Sequence, residues 1–146
     1  MAEIREISEE YAKIAHEIIQ NEPCLADIRQ SDATIMYLSS DKEKKSKGKT
    51  VFGECEKIPE KYKWAIPCDF TITIYEPNVV AFTDKQIRIL LLHELLHVKI
   101  EVQDDGTEKY SVNPHDIEDF RMIIDQHGLD WALPEWSMTD GRETET

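Results

Sequence analysis

The residues best suited to chemistry lie in one apolar stretch, LLLHELLHVKI, at residues 90–100. His93 and His97 are four positions apart, so on a helix they project from the same face, one turn from each other. This spacing lets two imidazoles bind one metal ion, and Zn²⁺ accepts such a pair in catalytic sites. Glu94 is then placed to act as general base on a water that the metal acidifies. We therefore predict a zinc centre with His93 and His97 as ligands and Glu94 as catalytic base.

The alternative to a metal site is a pair of histidines that core hydrogen bonds satisfy. Unpaired burial of such groups costs several kcal/mol. A shared metal ion relieves this cost more simply than a coincidental network of hydrogen bonds does, so the metal is favoured.

The identity of the third protein ligand distinguishes one class of catalytic zinc site from another. The longer pattern HExxHxxGxxH is absent, because Ile100 and Gln103 stand where its glycine and last histidine would be. His115 is the favoured ligand, since it begins the segment NPHDIEDF, and Asp116 beside it could orient its ring.

Other side chains are weaker candidates for the same site. Glu118 or Asp119 could replace His115, because a carboxylate also completes a site with two histidines. His127 is interpreted as a residue at the end of a helix, where it favours the helix dipole. Tyr110 is a candidate for oxyanion support, although a packing role on the KYSV segment is favoured.

A buried helix is predicted to carry the motif, over residues 84–101. Thr83 and Gln86 form a capping-box pattern at its start. Apolar residues cover nearly every side of it, so it should be buried on most faces. The preceding segment, DFTITIYE, alternates apolar residues with threonines and a tyrosine, which predicts a strand with one buried and one partly solvated face.

The remaining segments indicate the fold class. SEEYAKIAHEIIQN is predicted to be an amphipathic helix capped by Ser8, and ATIMYLSS and KTVFGECEKI to be strands with a lysine-rich loop between them. KYSV is predicted as a short strand or arm, and NPHDIEDFRMIIDQHG as another helix. This order predicts one domain over residues 1–146, with helices packed on a small, mostly antiparallel sheet in an α+β fold. Residues 138–146 are predicted to be a disordered tail.

The composition and the net charge of the chain limit the classes of function that it can have. The formal net charge is −13, so the molecule as a whole should repel nucleic acid and anionic membranes. DKEKKSKGK, residues 41–49, is the local exception. We interpret it as a solvated loop, with a basic finger that contacts phosphate or an acidic partner as the alternative. No apolar run is long enough for a membrane helix, and no signal peptide is recognised. Cys24, Cys55 and Cys68 form no CxxC pair, which favours reduced, buried thiols in a cytoplasm.

Three segments, FGECEKIPEKYKWAIPCDFTITIYEP, LLLHELLHVKI and YSVNPHDIEDF, together resemble the family of putative phage metallopeptidases, small zincin-like proteins of phages and prophages. The resemblance covers residues 52–131. It implies a zincin-like fold, a zinc ion, His93 and His97 as ligands and Glu94 as base, and His115 matches the downstream histidine of the family. The chain is similar, more distantly, to SprT-like proteases and to the ImmA/IrrE class that cleaves phage repressors. It lacks the zinc ribbon that often follows SprT-like domains.

From these observations we predict a zinc-dependent endopeptidase that acts in a bacterial host cytoplasm. The substrate would add a strand along DFTITIYE, taken as an edge strand. A DNA-binding regulator is the first expected substrate, because of the resemblance to the ImmA/IrrE class. One alternative is an acidic protein that inhibits a host DNA-binding factor and uses zinc for structure only. Another is zinc-dependent hydrolysis of a different bond, because the motif sets the metal and the base but not the substrate.

Overall fold

The framework of the chain is a four-stranded sheet, seen in a computed structural model that describes residues 2–113. In chain order its elements are β1 (Arg5–Ile7), α1 (Glu9–Asn21), α2 (Ala26–Arg29), β2 (Ile35–Ser40), β3 (Lys45–Ser46), β4 (Lys49–Thr50), β5 (Gly53–Lys57), β6 (Phe70–Tyr75), α3 (Asp84–Leu95), β7 (Val98–Val102) and β8 (Glu108–Val112), with short 3-10 helices at Pro23–Leu25, Glu60–Tyr62 and Glu76–Asn78.

The sheet has the strand order β1-β2-β6-β5. β2 and β6 run parallel, whereas β1 with β2 and β5 with β6 are antiparallel. Two further pairs, β3 with β4 and β7 with β8, form antiparallel hairpins. The predicted α+β class with a small, mostly antiparallel sheet is therefore confirmed. β1 was not predicted, because three exposed residues carry too little hydrophobic pattern to be recognised.

Helices α1 and α3 pack against each other and against one face of the sheet. The apolar side chains at this contact exclude water, which is the main stabilising contribution to such a layer. The most deeply buried members of the shared core, all with no exposed surface, are Ala15, Ile72, Ile74, Leu91 and Leu95.

Both long helices begin where their capping residues predict. The Ser8 side chain accepts a hydrogen bond from the Tyr11 amide at 3.1 Å, which satisfies one of the unpaired donors at the start of α1. At the start of α3, the Thr83 side chain accepts from the Gln86 amide while the Gln86 side chain accepts from the Thr83 amide. The capping box at Thr83 is confirmed.

The predicted helix over residues 84–101 is too long. α3 ends at Leu95, and β7 begins at Val98. Val98, Ile100 and Val102 alternate with charged residues, and this two-residue period with β-branched side chains favours a strand. The strand is completed by pairing with β8, across a turn in which Gly106 has a φ of 87°.

Strand β6 is buried on both faces, so its predicted solvated face is wrong. Thr71, Thr73 and Tyr75 are all buried. β6 is a central strand with β2 and β5 as neighbours, and not the edge strand that was predicted. Its outer face is covered by polar side chains: the Arg5 guanidinium donates to the Thr73 hydroxyl at 3.2 Å, and the Tyr75 hydroxyl donates to Glu54 at 2.5 Å.

The remaining predictions have mixed outcomes. The predicted lysine-rich loop contains the hairpin β3–β4, and the predicted strand KTVFGECEKI is divided into β4 and β5. The three cysteines are free thiols, and Cys68 is buried as predicted, whereas Cys55 is only half-buried and Cys24 is exposed. Within residues 2–113, no helix has the length and hydropathy that a membrane span requires. The predicted helix NPHDIEDFRMIIDQHG and the predicted tail lie outside the described residues.

Candidate active site

His93 and His97 lie close together at the end of α3. His93 is in the last turn of the helix, and His97 is the second residue beyond Leu95. The chain keeps a helical path across this junction, because Leu96 has φ −69° and ψ −15° and the His97 amide donates to the Glu94 carbonyl at 3.1 Å. The centroids of the two imidazole rings are consequently 5.3 Å apart. The predicted spacing of one turn therefore holds although the helix is shorter than predicted.

Asn113 joins the end of β8 to this histidine pair. Its amide donates to the His97 carbonyl at 2.5 Å, and its carbonyl oxygen lies 2.7 Å from His97 Nδ1. Its side-chain amide also donates to the Leu96 carbonyl at 3.4 Å. The register of the hairpin, in which Val98 is opposite Val112, places residues 97 and 113 face to face. The β7–β8 hairpin thus holds the His97 ring in place.

This contact determines the tautomer of His97. A carbonyl oxygen can only accept a hydrogen bond, so Nδ1 of His97 must carry the proton that it donates to Asn113. In the neutral ring the lone pair then resides on Nε2. A histidine that binds a metal through one nitrogen usually donates its other N–H to a carbonyl or carboxylate in this way.

Glu94 is buried, with 4% of its surface exposed, and its carboxylate lies against strand β5. A Cβ atom built on Gly53 would be 3.4 Å from Glu94 Oε2 and 3.1 Å from both the Thr73 carbonyl oxygen and Ile74 Cδ1. Burial, together with the charge of Glu94, raises the pKa of the Cys55 thiol to about 12. Gly53 and Cys55 therefore bring the edge strand of the sheet next to the carboxylate.

The third ligand is not found among the described residues. Within residues 2–113, no group of three histidine, cysteine, aspartate or glutamate side chains could hold a metal ion. His115, Glu118, Asp119 and His127 all lie beyond this part of the chain. The choice among them stays a prediction.

Tyr110 has contacts that agree with the packing role. Its ring lies 5.7 Å from that of Phe70, and its hydroxyl donates to Glu108 at 2.6 Å. Partial burial, followed by the hydrogen bond to Glu108, raises the pKa of Tyr110. A hydroxyl that donates to a carboxylate in its own strand is not directed at a reacting group.

Two residues of the site were not recognised in the sequence. Asn113 is the first residue of the predicted helix NPHDIEDFRMIIDQHG, and Gly53 lies inside the predicted strand KTVFGECEKI. The alternation in VKIEV, followed by a glycine turn and KYSV, is the signal that could have placed Asn113 opposite His97. A glycine inside an extended strand marks a possible close approach and could have indicated Gly53.

The chain matches the family model described as "Putative phage metallopeptidase" over residues 4–138. Neither a curated protein nor a solved structure matches it. The family description indicates a metal-dependent protease with a protein or peptide substrate, and it gives no support to the alternative of an acidic inhibitor. Because the match extends over most of the 146 residues, the chain belongs to the family of putative phage metallopeptidases.

Proposed function

We propose that the chain is a zinc-dependent endopeptidase with a zincin-like site, in which His93, His97 and His115 hold the metal and Glu94 is the general base. The observation that carries this proposal is the pair of imidazoles 5.3 Å apart, with a buried glutamate directly after the first of them in the helix. The chain then forms one catalytic domain.

The donor atoms fit zinc. Zn²⁺ binds histidine nitrogens in tetrahedral sites, and the tautomer imposed by Asn113 leaves Nε2 of His97 as the coordinating atom. A zinc ion held there supplies a Lewis acid that polarises the scissile carbonyl and acidifies the attacking water. The protein contributes the rigid placement of the two rings, one on a helix and the other fixed by a hairpin.

The path of the chain supports His115 as the third ligand. Asn113 contacts His97 directly, and His115 follows two residues later. Two residues extend the chain by at most about 7 Å. The length of the chain therefore allows His115 to reach the pair, whereas Glu118 and Asp119 are three and four residues further along the sequence.

Glu94 would move the proton. Its carboxylate takes a proton from the attacking water and passes it to the nitrogen of the leaving amine. The low exposure of Glu94 removes competing solvent from this carboxylate.

The substrate would lie along β5 rather than along β6. Within residues 2–113, β5 pairs with β6 on one side and with no strand on the other. The Tyr75 amide donates to the Phe52 carbonyl, and the Ile58 amide donates to the Asp69 carbonyl. Residues opposite each other in an antiparallel pair alternate between bonded and non-bonded positions. The amides and carbonyls of Gly53, Cys55 and Lys57 therefore point away from β6, to the side on which no described strand is hydrogen-bonded to β5 and an extended peptide could pair with them.

Protein or peptide is the substrate class that the family indicates. The sequence-based prediction of a DNA-binding regulator is not supported by the family or by the described residues. The three free thiols fit action in a reducing cytoplasm.

Metal analysis is the first test. Protein purified without added metal should contain about one zinc per chain, because two motif ligands and one downstream ligand make one site. His97→Ala and His115→Ala should each lose the metal, while His16→Ala, an exposed histidine, should keep it. If Asp119→Ala removes zinc and His115→Ala does not, the assignment of the third ligand is wrong.

Glu94→Gln separates an enzyme from a binding protein. The amide keeps the size of the side chain but cannot take a proton at neutral pH, so turnover should fall by roughly 10²–10⁴-fold while zinc and fold remain. Glu101→Gln, at an exposed position in β7, is the matched control and should be fully active. Equal activity of wild type and Glu94→Gln on every peptide or protein that the wild type cleaves would refute the proposed base.

A further inference from the structure

The lysine hairpin, residues 44–51, is an ordered feature that the proposed catalysis does not use. Strands β3 and β4 pair through Lys45 with Thr50 and Ser46 with Lys49, leaving a two-residue turn at Lys47 and Gly48. Both turn residues have positive φ, 52° and 79°, as the tight turns of β-hairpins require. The segment is solvent-exposed, as its composition predicts, but it is a β-hairpin with a defined conformation rather than an irregular loop.

The base of the lysine hairpin is fastened to the rest of the protein. The Asn78 side-chain amide donates to the Lys44 carbonyl at 2.9 Å and to the Val51 carbonyl at 2.7 Å. The Val51 amide donates to the Lys44 carbonyl at 3.1 Å. The Lys44 ammonium pairs with Glu54 and lies 5.4 Å from the centroid of the Tyr75 ring. These contacts hold both ends of the hairpin, so its backbone is already set before a partner binds.

The charge at the tip of the hairpin is not neutralised within residues 2–113. Lys45, Lys47 and Lys49 are exposed, and none of them forms an ion pair with a described carboxylate. Lys45 and Lys49 occupy opposite faces of the hairpin, since they belong to different cross-strand pairs. Lys47 is the one non-glycine residue of the described chain with positive φ. A lysine has no conformational reason to be there, because asparagine or glycine adopts this backbone more readily.

The lysine hairpin lies next to the edge strand of the proposed active site. The chain passes from Lys49 to Gly53 in four residues, which span at most about 14 Å. A Cβ atom built on Gly53 would lie 3.4 Å from Glu94 Oε2, and Gly53 is the first residue of β5. A polypeptide paired with β5 would extend past the hairpin at this end of the strand.

We propose that the lysine hairpin binds a carboxylate-rich segment of the substrate polypeptide, next to the segment that pairs with β5. This inference rests on the proposed endopeptidase function and names the class of substrate. In a chain with a net charge of −13, three exposed cations on one short hairpin form a local attraction that screening confines to their surroundings. A short acidic segment contacts the hairpin alone, whereas a long nucleic-acid duplex would extend into the repulsive field of the remaining surface.

Binding of two labelled peptides to the zinc-loaded full chain tests the proposal without requiring turnover. One peptide carries a short run of glutamates, and the other has glutamines at the same positions; anisotropy is measured at physiological ionic strength. The glutamate peptide should bind more tightly. A hairpin variant carries the three substitutions Lys45→Gln, Lys47→Gln and Lys49→Gln. Its affinity for the glutamate peptide should be about tenfold lower, since each exposed ion pair contributes only a few-fold. A control variant removes the same charge from exposed positions elsewhere, through the substitutions Lys13→Gln, Lys85→Gln and Lys109→Gln. It should change the affinity for the glutamate peptide less than twofold.

The outcomes separate the two proposals. Equal binding of both peptides, or equal losses in the two triple variants, would overturn the hairpin assignment. Tighter binding of a DNA duplex than of the glutamate peptide, lost in the hairpin variant, would also overturn it and assign the hairpin to nucleic acid. Each of these results leaves the Glu94→Gln test untouched. Conversely, the protein could bind the glutamate peptide selectively through the hairpin and yet cleave no peptide or protein. That result would refute the endopeptidase proposal and leave the proposal of an acidic ligand standing.

Discussion

Gly53→Ala adds a single methyl group to β5 at the point where this strand approaches Glu94. In an open extended position the substitution stabilises a protein by about 0.4–1 kcal/mol, because alanine restricts the unfolded chain. At position 53, however, the new Cβ would lie 3.1 Å from the Thr73 carbonyl oxygen and 3.1 Å from Ile74 Cδ1. Ordinary contacts between carbon atoms are about 3.5–4.0 Å, and overpacking typically costs about 1–3 kcal/mol. We expect a net destabilisation of about 1–2 kcal/mol.

Whether Gly53→Ala raises or lowers the free energy of unfolding is the informative result. Urea unfolding of Gly53→Ala should give a lower free energy of unfolding, while the variant should keep its zinc. Lys57→Ala, at an exposed position of the same strand, should change stability by no more than about 0.5 kcal/mol. A Gly53→Ala protein as stable as wild type, or more stable, would show that the close approach does not exist.

A double-mutant cycle identifies the atoms involved. Ile74→Val removes Cδ1, one of the two closest atoms, and alone should cost about 0.5–1.5 kcal/mol. In the Gly53→Ala background it should cost less, because it relieves the crowding, with a coupling of about 0.5 kcal/mol or more between the two positions. Strict additivity would mean that the alanine methyl does not meet the Ile74 side chain.

Three further predictions follow from the same contacts. A chelator should lower the melting temperature of the wild type, because metal binding and folding are linked; an unchanged curve would mean that the metal is peripheral or absent. At pH 8 a thiol reagent should modify Cys24 rapidly and Cys55 and Cys68 slowly, since a pKa of about 12 keeps the Cys55 thiol protonated and Cys68 is buried; three equally fast cysteines would contradict this. Tyr75→Phe should lower the free energy of unfolding by about 1.5–3 kcal/mol, because it removes a hydrogen bond to the Glu54 carboxylate, and urea unfolding equal to wild type would refute that role.

The sequence correctly predicted the features that depend on interactions between residues close together in the chain. The caps at Ser8 and Thr83 lie where side chains bond to nearby amides, and both were found. The proximity of His93 and His97 also depends only on one helical turn, so it survives the early end of α3. These features need no information about distant parts of the chain.

The errors involve contacts between distant segments. The burial of Thr73 depends on Arg5, which is 68 residues away, and the central place of β6 depends on its pairing with β2. Hydrophobic alternation does not contain this information, because a hydroxyl-bearing residue is equally compatible with water and with a buried polar partner. The role of Asn113 was missed for the same reason, since it depends on the register of a hairpin that the sequence analysis did not recognise.

The contact between His97 and Asn113 also bears on the order of folding events. His93, Glu94, His97 and Asn113 belong to one continuous stretch, and the two residues in contact are only 16 positions apart. The parallel pair β2–β6 instead joins residues 35 positions apart, and the cost of closing a loop rises with its length. Hairpins form in about 1–10 μs. We therefore expect the ligand pair to assemble before the sheet is complete, so that zinc added during refolding increases the folding rate in addition to slowing unfolding.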